Sequence, residues 1–407
     1  VFSAGVFKLK IMLNLLTILR KNLLIKSVIV LVIFAFNGCK KGCTDPLALN
    51  YDPNAKKEDQ SCEYESFNKQ GLLDNLANSF ILPSVEAYKT NVENLEIASN
   101  TFTSSPSTTN LTTLRTSWEN ALLTWQDIAF LDFGPASYIV LKSQTNTYPC
   151  DTAGIISNIN SGSWLLTIAS NNDKKGFQAL DYLLFMPGKT DQEIVDYFTN
   201  TTNASTYLND VTQDLVVNAT YIHNQWNSTY KDDFINNNET NAQGSSVSDV
   251  VNALNLHYEY YLRRGKLGLP LGVFNGFTQQ PMPELVECYY YGQSLPFAIR
   301  AVESLQKFMN GCNYLIPEEN NLGLDDYMDF TNAQQGNSLL SDVIDNQFAE
   351  IIAALNGLND PLSNEVVVNN AQGHETYDKL QQLVPLIKVD MTSALGVLIT
   401  YQDNDGD

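Results

Sequence analysis

Histidine is almost missing from this sequence: His223, His257 and His374 are the only three in 407 residues. A zinc peptidase of the HExxH kind needs two imidazoles one helical turn apart, with Glu as base. The nearest approach is HETYD, residues 374–378, where Asp378 stands at the second His position. It reads as an acidic helix start, which the helix dipole favours. His257 lies among aromatics in LNLHYEYYLRRG and reads as a packed core or boundary residue. The sequence has no GxxxxGK[ST] phosphate loop, no GxSxG elbow and no CxxC pair, which excludes the chemistries those motifs carry. Strand-like alternation is scarce, with EVVV (365–368) as an isolated exception. Positive charge is short too: 24 Lys and Arg stand against 45 Asp and Glu, a net charge of −21. A field of that sign repels nucleic-acid phosphates, so no nucleic-acid partner is expected, and it attracts cations and basic partners.

What is present begins with a targeting segment. The chain opens on Val1, and Met12 is read as the start of translation. Arg20, Lys21 and Lys26 supply a basic stretch, and SVIVLVIFAF (27–36) an apolar one. That run is too short to span a bilayer. It ends in FNGC, which resembles a bacterial lipoprotein signal, with Cys39 as the acylated first residue of the mature protein. Residues 1–38 are therefore read as signal, and 39–66 as a lipid-anchored spacer. In an exported protein, a disulfide between Cys43 and Cys62 is the natural reading of that turn-rich piece. Cys288 and Cys312 are candidates for a second pair, with Cys150 left over.

From residue 67 on, helical periodicity dominates. Pro83 is expected to kink a helix over 67–98 rather than end it. A second helix runs through SWENALLTWQDIAFLDF to Gly134-Pro135. Others are expected over 190–229, 247–264, 283–310, 334–356 and 374–400, giving an all-α fold. Within KKGFQALDYLLF (174–185), with Asn172 or Asp173 as N-cap, Phe177, Leu180 and Leu184 share one face and Gln178 and Asp181 another. That polar pair reads as a ligand site, an altered ligand site or a solvated face.

GFQALDYLLF resembles the signature of the imelysin family, insulin-cleaving peptidase-like proteins of bacterial envelopes, whose motif there is Gly-x-His-x-x-Glu. SWENALLTWQDIAFLDFGPA (117–136), YYLRRGKLGLPLGVFNG (260–276), ELVECYYYGQSL (284–295) and ALGVLITYQDNDGD (394–407) are similar to further family stretches in the same order. The resemblance implies two related helical bundles over 67–407, and a link to peptidase activity or iron uptake. Its proposed metal ligands are the motif His and Glu, which here are Gln178 and Asp181. An amide is a far poorer zinc ligand than imidazole. The expectation is therefore a binding lipoprotein without working peptidase chemistry. It would sit on the outer membrane, facing the periplasm, with an outer-membrane uptake receptor as its partner. Asp181 could still hold a divalent or ferric ion, Arg263 and Lys266 could meet an anionic group, and Glu287 is a further site candidate. The alternative is a metallopeptidase drawing on His374 and Glu375. The ending QDNDGD reads as a polar tail, because it lacks the distal Glu of a calcium loop.

Overall fold

A computed structural model describes residues 12–24 and 40–401. The apolar run 27–36, the acylation candidate Cys39 and the tail residues Asp403, Asp405 and Asp407 lie outside the described residues. The chain divides into two compact units, one up to Phe67 and one from Asn68 onward.

In the first unit, residues 40–67 have almost no regular structure, and Cys43 is joined to Cys62 by a disulfide. The acidic residues there are spent on turns. Asp45 accepts the Leu47 N–H at 2.9 Å, and Asp52 accepts the Asn54 N–H at 2.9 Å, each bonding backbone two residues on. Glu58 accepts both the backbone N–H and the hydroxyl of Thr44.

The second unit is built of helices. A helix at Lys69–Asn75 passes through a π-helical stretch, Leu76–Ile81, into α1 (Leu82–Ser104). Pro83 lies where the π-helical stretch passes into α1, and the wider turn there accommodates a residue without an N–H, so the helix passes it. Val85, Tyr88, Val92, Leu95 and Phe102 form its buried stripe. The helix α2 (Thr108–Ile128) is N-capped by the Ser107 hydroxyl, which accepts the Asn110 N–H at 3.2 Å. Both pack with α3 (Gly176–Leu184) and α4 (Thr202–Trp226) as one group. A second group follows: α5 (Ser246–Leu256) running into a π-helix at His257–Gly268, α6 (Leu295–Met309), α7 (Leu340–Leu355) and α8 (Asn370–Pro385). The groups meet where α2 packs on α6. There Arg300 grips the buried Asp127 with two parallel bonds of 2.6 and 2.8 Å, and the Tyr314 hydroxyl donates to it at 2.9 Å.

The all-α expectation holds, with three local corrections. The EVVV run lies in a helix, Leu362–Val368, because only Val366 of its three valines meets the core. Among the described residues, strand is confined to a two-residue pairing of Gln334–Gln335 with Ser338–Leu339. Residues 283–294 are not helical: a short 3-10 turn at Pro283–Leu285 leads into irregular chain that reaches α6 only at Leu295.

Candidate functional site

The motif helix α3 begins at Gly176, whose φ of +71° is one that residues with a Cβ rarely adopt. A Cβ there would also lie 2.2 Å from the Thr145 carbonyl oxygen. The N-cap is Lys175, not Asn172 or Asp173, because a 3-10 turn at Ala169–Lys174 carries the chain past both. Lys175 is fully buried and donates to Asp214 at 2.9 and 3.2 Å and to Gln144 at 2.9 Å. At the other end, Arg115 donates twice to the Leu184 carbonyl, at 2.7 and 2.9 Å. The Trp118 indole donates to the Phe177 carbonyl at 3.0 Å. Both ends of α3 are thus fixed by α2 and by the chain before it.

Gln178 and Asp181 are almost fully buried, which removes the solvated-face reading. Gln178 accepts the backbone N–H of Cys288 at 2.9 Å and donates to Asn146 at 2.8 Å. Asp181 accepts the N–H groups of Tyr291 at 2.8 Å and Tyr290 at 3.0 Å, one on each carboxylate oxygen. These three amides explain why 286–294 is not helical: they are spent on side chains of α3 rather than on carbonyls four residues back. Cys288 adopts a left-handed φ of +59° within this loop.

Glu287 is buried beside them and forms an ion pair with Lys266. Its other oxygen accepts from Asn146 at 2.7 Å and Gln126 at 3.2 Å. Asn146 therefore joins Gln178 to Glu287. Burial pushes the Asp181 carboxyl up to about 7 against the pull of its two N–H donors, and the Glu287 charge adds to the rise. A cavity of about 90 Å³ lies against Gln178 and Asp181, walled by Tyr148, Cys150, Tyr289 and Tyr290 among others. Burial raises the Cys150 thiol to about 12, so it is not poised as a nucleophile. Cys150, Cys288 and Cys312 are all free thiols, so the Cys288–Cys312 pair is not formed.

Of the expected site residues, Gln178, Asp181, Lys266 and Glu287 come together. Arg263 does not join them: it donates to Tyr377 at 3.0 Å and to Gln381, both on α8. Lys266 neither caps a helix end nor stands open to an anion, because Glu287 takes its charge. Asn146, Gln126 and the Tyr290 and Tyr291 amides escaped the sequence reading, since nothing in a helical period marks a residue whose partner is more than 100 positions away.

The donor set does not fit a metal ion. Both Asp181 oxygens accept backbone N–H groups, Glu287 neutralises Lys266, and Gln178 offers only an amide. Among the described residues, no histidine lines the cavity at Gln178 and Asp181. His257 is buried against Phe130 and Tyr261, and burial holds it well below the ordinary imidazole range. His374 is half-buried on α8 with Glu375 and Asp378 exposed, which corrects the view of this stretch as a helix start, since α8 begins at Asn370. Among the described residues, one trio of Cys, Asp, Glu or His ligand atoms lies close enough to share an ion: Cys43, Glu58 and Cys62. Its two sulfurs are tied in the disulfide.

Fold and site together define a protein of the all-α class whose motif helix is locked to an irregular loop. The sequence model of the imelysin family, peptidase family M75, matches residues 81–389. The chain belongs to the imelysin family. Two solved structures share the fold. One, from Parabacteroides distasonis ATCC 8503, carries a provisional description as an iron-regulated protein A precursor. It is 18% identical with a TM-score of 0.66, over 80% of this chain and 95% of that one. An imelysin-like protein from Psychrobacter arcticum 273-4 is 17% identical with a TM-score of 0.55, over 82% of this chain and 97% of that one. No curated protein matches the sequence.

Proposed function

We propose that this chain is an imelysin-like binding component of the cell envelope without peptidase chemistry, anchored to the outer membrane through lipid on Cys39 and facing the periplasm. The observation that carries this reading is the use made of the motif residues. Gln178 and Asp181 hold the amides of Cys288, Tyr290 and Tyr291. A side chain that fixes a loop through both its oxygens is a scaffold element, and among the described residues no histidine lines the cavity beside it to activate water. The description of the Parabacteroides relative as iron-regulated supports a place in iron acquisition, with an outer-membrane uptake receptor as the partner. Among the described residues, no helix is long and apolar enough to cross a membrane, which is compatible with anchoring by lipid.

The test is incubation of the purified full chain with an unfolded protein substrate, with and without a chelator. No cleavage is expected in either arm. Chelator-sensitive cleavage that disappears in His374→Ala would restore the metallopeptidase reading. Calorimetric titration with ferrous, ferric, zinc and calcium ions is expected to give the same isotherms for wild type and Asp181→Asn. An ion whose binding is lost in that variant would make Asp181 a metal ligand after all.

A further inference from the structure

Next to the Gln178–Asp181 cluster lies a second cavity, of about 240 Å³. Asn146 and Tyr148 line it, and Tyr148 also walls the smaller cavity at Asp181. Its chemistry is opposite to that of the chain as a whole. Two cationic side chains, Lys142 and Arg264, face it from the helix at Leu141–Thr145 and from the π-helix after α5.

Lys142 and Arg264 are less fully paired than the neighbouring buried lysines. Lys175 has Asp214, and Lys266 has Glu287. The Lys142 side chain is only 7% exposed, and its ammonium pairs with the Asp132 carboxylate at 3.4 Å without making a close hydrogen bond. It also lies 3.8 Å from the centre of the Tyr261 ring. The Nε–H of Arg264 is buried without an acceptor. Its guanidinium lies near two aromatic rings, 5.0 Å from the centre of Tyr260 and 4.8 Å from that of Phe274, and among the described residues it has no ion pair. Aromatic faces fix a guanidinium's position but supply no in-plane acceptor for its N–H fork. Arg264 is half-buried, and its buried Nε–H lacks an acceptor; a carboxylate or phosphate has oxygens that match such a fork.

We infer that this cavity binds a small oxyanion, the carboxylate or phosphate group of a ligand, on Arg264 and Lys142 with the tyrosines as its walls. The inference rests on the reading of the chain as a binding protein and names its ligand class. It also moves the anion-meeting role from Arg263 and Lys266, which are engaged, to Arg264 and Lys142. One bidentate pair with Arg264 corresponds to about a tenfold or larger effect on affinity.

The experiment is calorimetric titration of the full chain with inorganic phosphate and, separately, with benzoate. Saturable binding of one or both is expected, and the tighter probe tells the phosphate class from the carboxylate class. Arg264→Gln is expected to weaken it at least tenfold. Arg264→Lys, which keeps the charge without the fork, is expected to fall between. Lys379→Gln, altered at a half-buried position on α8 away from the cavity lining, should bind as wild type does, and circular dichroism of each variant reports folding. Absence of binding by wild type up to about 10 mM, or equal affinity in folded Arg264→Gln, overturns the inference. Should Arg264→Gln not fold, Arg264→Lys with wild-type affinity overturns it equally. Either result leaves the non-peptidase reading standing, whereas proteolysis by the full chain would remove that reading and leave oxyanion binding intact.

Discussion

Asp181 carries the main consequence of placing a carboxyl in the motif helix. Its folded pKa is raised from the ordinary 3.8 to about 7, chiefly by burial. Between about pH 4 and 7 the folded chain therefore holds a proton that the unfolded chain has released, and stability from this group falls as pH rises through that window. Above pH 7 both states are ionised and the loss is complete. Wild type should accordingly be more stable relative to Asp181→Asn at pH 5 than at pH 8, as measured by denaturant midpoints. An equal difference at the two pH values would mean that the carboxyl is not desolvated. Gly176 gives the second residue-scale prediction. With φ at +71° and the Thr145 carbonyl where a Cβ would go, Gly176→Ala should cost about 1–3 kcal/mol from the backbone alone, with the clash added. Thermal unfolding checks it, and a variant within error of wild type would show that the turn can relax.

Among the elements, the loop 286–294 and the α2–α6 contact matter most. The sequence ELVECYYYGQSL has enough apolar residues to suggest a helix, and the structure makes it an irregular strap tied to α3. The competition is between backbone carbonyls four residues back and two side chains on α3, Gln178 and Asp181. The side chains win because both are already oriented by a helix fixed at its two ends. The contact between α2 and α6 depends on Asp127, whose carboxylate is buried under Arg300 and Tyr314. Removing one member of a buried pair leaves the other uncompensated, at about 3–5 kcal/mol. Arg300 retains 36% exposure and can be rehydrated, so Asp127→Ala should cost less, about 2–3 kcal/mol, in urea unfolding. A loss under 0.5 kcal/mol would show that apolar packing alone joins the two helix groups.

For the whole molecule, the acidic excess and the helical period were readable along the chain, because both are sums over local composition. The motif helix was readable for the same reason: Gly176, Gln178 and Asp181 lie within six positions, and their spacing already put the polar pair on one face. Its four-part grouping with Lys266 and Glu287 came only through the family resemblance, and the resemblance also gathered in Arg263, which the structure turns to α8. What the sequence by itself determined was helix, topological class and the motif's location, all of which follow from near neighbours. What the tertiary structure alone decided was the use of each polar group. Gln178 meets the Cys288 amide 110 residues away, and Asp181 meets the Tyr291 amide at the same separation. Glu287 silences Lys266, while Arg264, next in the chain to Arg263, is left facing a cavity. A buried polar side chain is defined by the acceptor or donor folding brings to it, and that partner is set by packing between helix groups, on which local spacing is silent.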